Sequence, residues 1–85
     1  MRIRVRYFAS VKESLGREVE EIDVPAAVAT VAALRAHLRE RGGAWAETLA
    51  ESRRVTSAVN QDMAKPTAAI KAGDEVAFFP PVTGG

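Results

Sequence analysis

The sequence contains no cysteine. Disulfides, thiolate nucleophiles and cysteine metal sites are thereby excluded together, and a reducing compartment is the natural setting. Histidine occurs once, as His37, with no cysteine, aspartate or second histidine close to it in the chain, so neither a metal site nor a nucleophile and base pair is expected there. Apolar runs such as residues 26–29 are far too short to cross a bilayer, and no hydrophobic signal region follows the opening Met1-Arg2-Ile3-Arg4. An excess of either charge is also missing. Twelve Lys and Arg face eleven Asp and Glu, a net +1, which argues against nucleic acid as the main partner. There is no glycine-rich phosphate loop, no nucleophile elbow around Ser10, Ser14, Ser52 or Ser57, and no carboxylate pair in a distinctive motif. Glu20 and Glu21 read as solvated strand residues, because neighbours on a strand face opposite ways. A cytoplasmic globular protein with no metal site is expected.

Among 85 residues, 47% are hydrophobic and 27% charged, enough for one small domain with one core and hardly a deep cleft. Residues 2–8 alternate, with Ile3, Val5 and Tyr7 inward and Arg2, Arg4, Arg6 and Phe8 outward; the arginine side reads as a solvated outer sheet face. Val11 and Leu15, four apart and followed by Gly16, predict one helical turn with a glycine stop. A second strand over 17–24 ends at Pro25, and the slip in phase between Val19 and the pair Ile22 and Val24 predicts a bulge or an irregular start. Thr30 is a good N-cap for a main helix carrying Val31, Leu34 and Leu38 on one face and Arg35, Arg39 and Glu40 on the other, stopped by Gly42 and Gly43. Trp45 and Leu49 predict a short helix over 44–51, with Trp45 as a core plug. Val55, Ser57 and Val59 belong to a third strand, Met63 and Ala64 to a brief fourth, Ile70 is a core anchor, and 75–79 forms the last strand after a turn at Gly73-Asp74. A helix lying between a first hairpin and later strands predicts an α+β fold: a mixed sheet with one main helix across one face, the β-grasp arrangement of ubiquitin-like folds. First and last strands would then pair in parallel at its centre.

The last strand runs into Pro80-Pro81-Val82-Thr83-Gly84-Gly85. Prolines offer no backbone N–H and cannot continue a central strand, so the chain is expected to divide into a domain over 1–79 and an extended, flexible Gly-Gly tail over 80–85. Six residues reach at most roughly 20 Å, and glycines fit the narrowest passages. What remains for chemistry is the carboxylate of Gly85. A carboxylate is a poor electrophile until activated, most simply as a mixed anhydride with AMP made by an ATP-binding partner; sulfur attack on that acyl adenylate gives a thiocarboxylate, a soft nucleophile on a tether. Near the root of the tail, strand parity turns Phe8 and Phe79 outward, where with Met63 they would form an exposed apolar patch for partner binding.

The run Gly73-Asp74-Glu75-Val76-Ala77-Phe78-Phe79-Pro80-Pro81-Val82-Thr83-Gly84-Gly85, with Ala58-Val59-Asn60-Gln61 and Ile3-Arg4-Val5-Arg6-Tyr7-Phe8-Ala9, resembles the small, sulfur-carrier subunits of molybdopterin synthase, a family of ubiquitin-like sulfur carriers. The resemblance spans essentially the whole chain. Tyr7, where an apolar aromatic is common, and an unusually acidic second strand are the departures. The resemblance implies that an E1-like adenylyltransferase activates Gly85 with ATP and Mg²⁺, no cofactor being bound by the chain itself, and that a sulfurtransferase supplies persulfide sulfur. It further implies that the Gly85 thiocarboxylate enters the large synthase subunit, in a heterotetramer of two small and two large subunits, and gives its sulfur to cyclic pyranopterin monophosphate. The chain would be the sulfur-donating subunit of that complex and no enzyme alone. Three other readings stand beside this one: a sulfur carrier for thiamine or cysteine synthesis, a protein modifier joined to lysines through Gly85, and a plain interaction domain.

Overall fold

The computed structural model describes residues 1–81. Eight elements follow one another: β1 (Arg2–Tyr7), α1 (Ala9–Leu15), β2 (Val19–Asp23), α2 (Val31–Arg39), α3 (Ala44–Thr48), β3 (Thr56–Val59), β4 (Asp62–Ala64) and β5 (Glu75–Phe79). The strands form one mixed sheet in the order β2-β1-β5-β3-β4. β1 and β5 pair in parallel at its centre, and the other neighbours are antiparallel. This is the β-grasp arrangement, with α2 the longest of three helices.

The alternation in β1 places Ile3, Val5 and Tyr7 wholly inside, against Val31, Leu34 and Leu38 of α2 and Val76 and Phe78 of β5. α2 begins where the sequence indicates: the Thr30 Oγ1 accepts from the Ala33 N–H at 3.1 Å. Its two preceding N–H groups, on Val31 and Ala32, donate to the carbonyls of Ala68 and Pro66, so the 65–70 segment completes the cap that one side chain cannot. Gly16 takes a left-handed conformation at the end of α1.

Four local expectations need correction. β2 has no bulge; it pairs with β1 in unbroken register from Arg2↔Asp23 to Arg6↔Val19. The apparent slip in phase arises because Val19 faces outward, 46% exposed, and Glu20 faces inward opposite Val5. Trp45 is a half-buried side wall and not a plug, its ring meeting Tyr7 edge to face at 5.4 Å between centroids; Leu49, with no exposed surface, fills the place beneath α3. Finally, Arg35 does not lie on a solvated helix face: its guanidinium donates to the carbonyls of Leu49, Ala50 and Arg53, satisfying the end of α3 and the loop after it.

β3 and β4 are joined by Asn60 and Gln61, with φ of 50° and 71°, the conformation of a two-residue hairpin loop that favours glycine at its second position. Gln61→Gly should therefore raise the unfolding free energy by about 0.5–1 kcal/mol. Urea unfolding checks this, and an unchanged or lower midpoint would refute it.

Candidate functional site

Strand parity and register decide what surrounds the root of the tail. On the sheet face away from α2, the pairings Arg6↔Ala77, Ala77↔Ala58 and Ala58↔Met63 set four side chains in one row across β1, β5, β3 and β4. Phe79 stands in the next row, opposite Thr56. The two alanines are almost covered and form a low floor. Around them rise Phe8 and Met63, 42% and 69% exposed, and the half-buried Phe79. With Arg6, Gln61 and Glu75 they bound an open hollow of about 320 Å³. The sequence reading singled out Phe8, Met63 and Phe79, and the structure brings all three to this hollow. It passed over Ala58 and Ala77, whose smallness creates the depth, because only the register shows that they are neighbours.

Phe8 reaches the hollow through local backbone geometry. It is the extended N-cap of α1, its N–H donates to the Phe78 carbonyl at 3.1 Å and its carbonyl accepts from Val11 and Lys12. Ala9 then turns the chain with a φ of 51°. The side chain is thus fixed on the outer face while the helix leaves behind it. Contiguous exposed phenylalanine and methionine are a docking surface more readily than an ordinary solvated face.

Pro80 and Pro81 follow directly from β5, the first half-buried and the second exposed. Pro80 borders a smaller hollow with Ser10, Ser14, Arg53 and Arg54. The remaining tail residues identified from sequence, Val82, Thr83, Gly84 and Gly85, lie outside the described residues.

A carboxylate stands near each of the three arginines of the outer face. Arg2 pairs with Asp23 at 3.0 Å, Arg4 with Glu21 at 3.8 Å and Arg6 with Glu75 at 3.9 Å. Exposed pairs of this kind contribute about 0–1 kcal/mol each, but they remove the basic stripe that a polyanion would need. Among the described residues there is no group of three or more His, Cys, Asp or Glu able to hold a metal ion, and no helix is long and apolar enough to cross a membrane. A larger hollow, about 520 Å³, lies on the helix side between α2 and β3–β4; its walls include Val31, Val55, Ser57 and Pro66, with no histidine or cysteine among them.

Beneath the sheet one polar cluster holds the fold in place. The Tyr7 hydroxyl donates to Glu20 Oε2 at 2.8 Å, Arg41 grips both Glu20 oxygens at 2.9 and 3.0 Å, and Arg17 donates to Oε1 at 3.0 Å. Arg41 also lies over the Trp45 ring, 4.3 Å from its centroid. The Glu20 side chain is only 8% exposed, contrary to the expectation of a solvated residue. Burial pushes its carboxyl upward, but the hydrogen bonds from Arg41 and Tyr7 and the charges of Arg41 and Arg17 outweigh it and hold the group below the usual carboxylate range. Burial, then the bond to Glu20, pushes the Tyr7 phenol far above its ordinary value. Neither group is placed for proton transfer to an outside substrate, so the cluster is structural. At the other end of β5, Asp74 is held ionised by the amide of Asn60 and the Lys71 N–H, at 3.0 and 2.9 Å, which ties the β3–β4 hairpin to the start of the last strand.

Comparison with known proteins bears on both fold and tail. The molybdopterin synthase sulfur carrier subunit of Escherichia coli is 45% identical over 85 residues, and that of Haemophilus influenzae 42% over 83, each alignment covering 98% of this chain and 99% of the relative. Among solved structures, SAMP1 of Haloferax volcanii superimposes with a TM-score of 0.77 at 28% identity over the full length of both chains. The complex of subunits 1 and 2 of the molybdopterin-converting factor of Helicobacter pylori contains a chain that matches with a TM-score of 0.66 at 27% identity, again over both full lengths. The ThiS family model matches residues 5–85, from the first strand through the Gly-Gly end, and the chain therefore belongs to the ThiS family.

Proposed function

We propose that this chain is the sulfur carrier of a molybdopterin synthase. The observation that carries the reading is the 42–45% identity, over almost every residue, to proteins named molybdopterin synthase sulfur carrier subunit. The geometry supports it: a largely apolar hollow lies beside the point where the last strand ends.

In this reading residues 1–79 are the handle and 80–85 the working tail. Pro80 and Pro81 narrow the conformations that must be frozen when Val82, Thr83, Gly84 and Gly85 thread into a partner. A carboxylate oxygen of Gly85 attacks the α-phosphorus of ATP, held with Mg²⁺ by an E1-like adenylyltransferase, and pyrophosphate leaves. A persulfide on a sulfurtransferase cysteine then attacks the acyl carbon and displaces AMP, giving an acyl disulfide; a thiol reductant attacks the sulfurtransferase sulfur of that disulfide, so that a new disulfide forms and the Gly85 thiocarboxylate is released. Docked on the large synthase subunit through Phe8, Met63 and Phe79, the chain presents that sulfur to cyclic pyranopterin monophosphate. The product is a dithiolene and needs two sulfurs, so spent carriers must exchange for loaded ones in a heterotetramer of two small and two large subunits. All of this takes place in the cytoplasm. Docking to a second subunit is supported by the Helicobacter pylori relative, which was solved as a complex of subunits 1 and 2.

A second reading, protein modification through Gly85, is favoured by the likeness to SAMP1, known by its full name as a small archaeal modifier protein. Its identity is lower, and the same fold serves both roles, so the carrier reading is preferred. Intact-mass analysis of the chain taken from its own cells decides between them. Replacement of one terminal oxygen by sulfur is the expected result; lysine peptides ligated to Gly85 with no thiocarboxylate would replace the carrier reading with the modifier one.

A further inference from the structure

The hollow at the tail root is lined mostly by apolar side chains, with Gln61 and Glu75 among them, and one cation stands in its wall. Arg6 projects from β1 on the outer face, in the row of Ala77, Ala58 and Met63. Its guanidinium carbon lies 5.5 Å from the centroid of the Phe8 ring. Among the described residues its side chain makes no hydrogen bond, and its Nε is buried without an acceptor. The nearest carboxylate, Glu75, stands off at 3.9 Å, beyond hydrogen-bond range. Arg2, by contrast, is bonded to Asp23 at 3.0 Å. Arg4, like Arg6, has only a distant carboxylate, Glu21 at 3.8 Å; what sets Arg6 apart is its position against an aromatic face and its buried, unpartnered Nε, with the side chain still 38% exposed.

We propose that Arg6 reads charge at the docking face, its guanidinium receiving an Asp or Glu carboxylate of a protein partner whose neighbouring apolar side chain fills the hollow between Phe8, Met63 and Phe79. The proposal rests on the sulfur-carrier reading for the identity of the partner. Its physical basis is desolvation. A partner that seats an apolar group in the hollow strips water from the exposed end of Arg6, and a guanidinium deprived of water without an acceptor is strongly unfavourable. Glu75 is too distant to supply the missing hydrogen bonds. A partner carboxylate matches the planar fork with two parallel bonds. Partners lacking the acid are therefore rejected, and selectivity arises as much from that penalty as from the bond itself.

The test measures binding of the full chain to the large synthase subunit of the same organism by titration calorimetry, at low and high ionic strength. Phe79→Ser should weaken binding at both. Arg6→Met, which keeps the length and apolar stem of the side chain, should weaken it about tenfold or more at low ionic strength and flatten the salt dependence seen with the unaltered chain. Arg6→Lys, retaining the charge without the fork, should fall between. Melting temperatures should stay the same, because a half-exposed 3.9 Å pair holds little of the fold. If Arg6→Met binds as well as the unaltered chain or better while Phe79→Ser is weakened, the acidic partner is refuted and the docking face stands. A loss with Glu75→Gln but none with Arg6→Met would assign a basic partner and overturn the proposal. Should Phe79→Ser and Arg6→Met both bind normally, the docking face itself is wrong.

Discussion

Removing Gly85 is expected to lower dithiolene synthesis at least about a hundredfold while leaving the melting temperature unchanged. The shortened chain still ends in a carboxylate, on Gly84, so the chemistry of adenylation is not abolished in principle. What changes is reach. One residue of extended chain spans roughly 3.5 Å, and misplacing a reacting atom by about 1 Å can already cost on the order of a hundredfold. The proline root at Pro80-Pro81 makes the shortfall harder to recover, since a restrained chain cannot take up slack it does not have. A reconstituted synthase assay with the truncated chain, loaded by its adenylyltransferase and a sulfur donor, is the measurement. Activity at the level of the full chain would remove the tail from the mechanism. Retained thiocarboxylate formation with lost transfer would place the length requirement in the large subunit and not in the activating partner.

The second large effect is on stability. Glu20→Ala should lower the unfolding free energy by about 2–4 kcal/mol, because it leaves the Tyr7 hydroxyl and the bidentate face of Arg41 without their acceptor in a covered site. For a domain of this size that corresponds to a fall of roughly 10–20 °C in Tm. Docking to the large subunit, measured well below that Tm, should change little, since Glu20 lies on the helix side of the sheet and the hollow on the other. Glu20→Gln tests the charge separately. The folded carboxyl is held below the ordinary value of about 4.3, so its contribution is full above that value and is lost as pH falls through the lower folded one. The unaltered chain should accordingly lose its advantage over Glu20→Gln progressively below about pH 4–5 and keep it at neutral pH. A stability gap that is independent of pH would show that the carboxylate charge does not matter there.

Much of this site was legible because it rests on alternation. Period two in residues 2–8 and 75–79 assigns each side chain to a face without any knowledge of the rest, and so Phe8 and Phe79 could be placed outside from the chain alone. The prolines after Phe79 say as much about where the sheet must stop. The misreadings share a different cause. Glu20 looked solvated because carboxylates ordinarily are, and its position inside became visible only once Tyr7 and Arg41, distant in sequence, were seen to converge on it together with the nearby Arg17. Arg35 and Trp45 likewise follow helical spacing, but spacing does not show that the carbonyls after Leu49 would need a donor or that Tyr7 would offer its ring to an edge.

By itself the sequence determined the elements, the inward and outward faces of the central strands, the parallel pairing implied by strand order, and the end of the last strand at Phe79, since each follows from local periodicity, backbone sterics or the missing proline N–H. Only the tertiary structure decided which outward residues stand together. The hollow exists because Ala77 and Ala58 are opposite each other with Arg6 and Met63 at the ends of their row, and cross-strand register is a property of several segments at once that no single segment encodes.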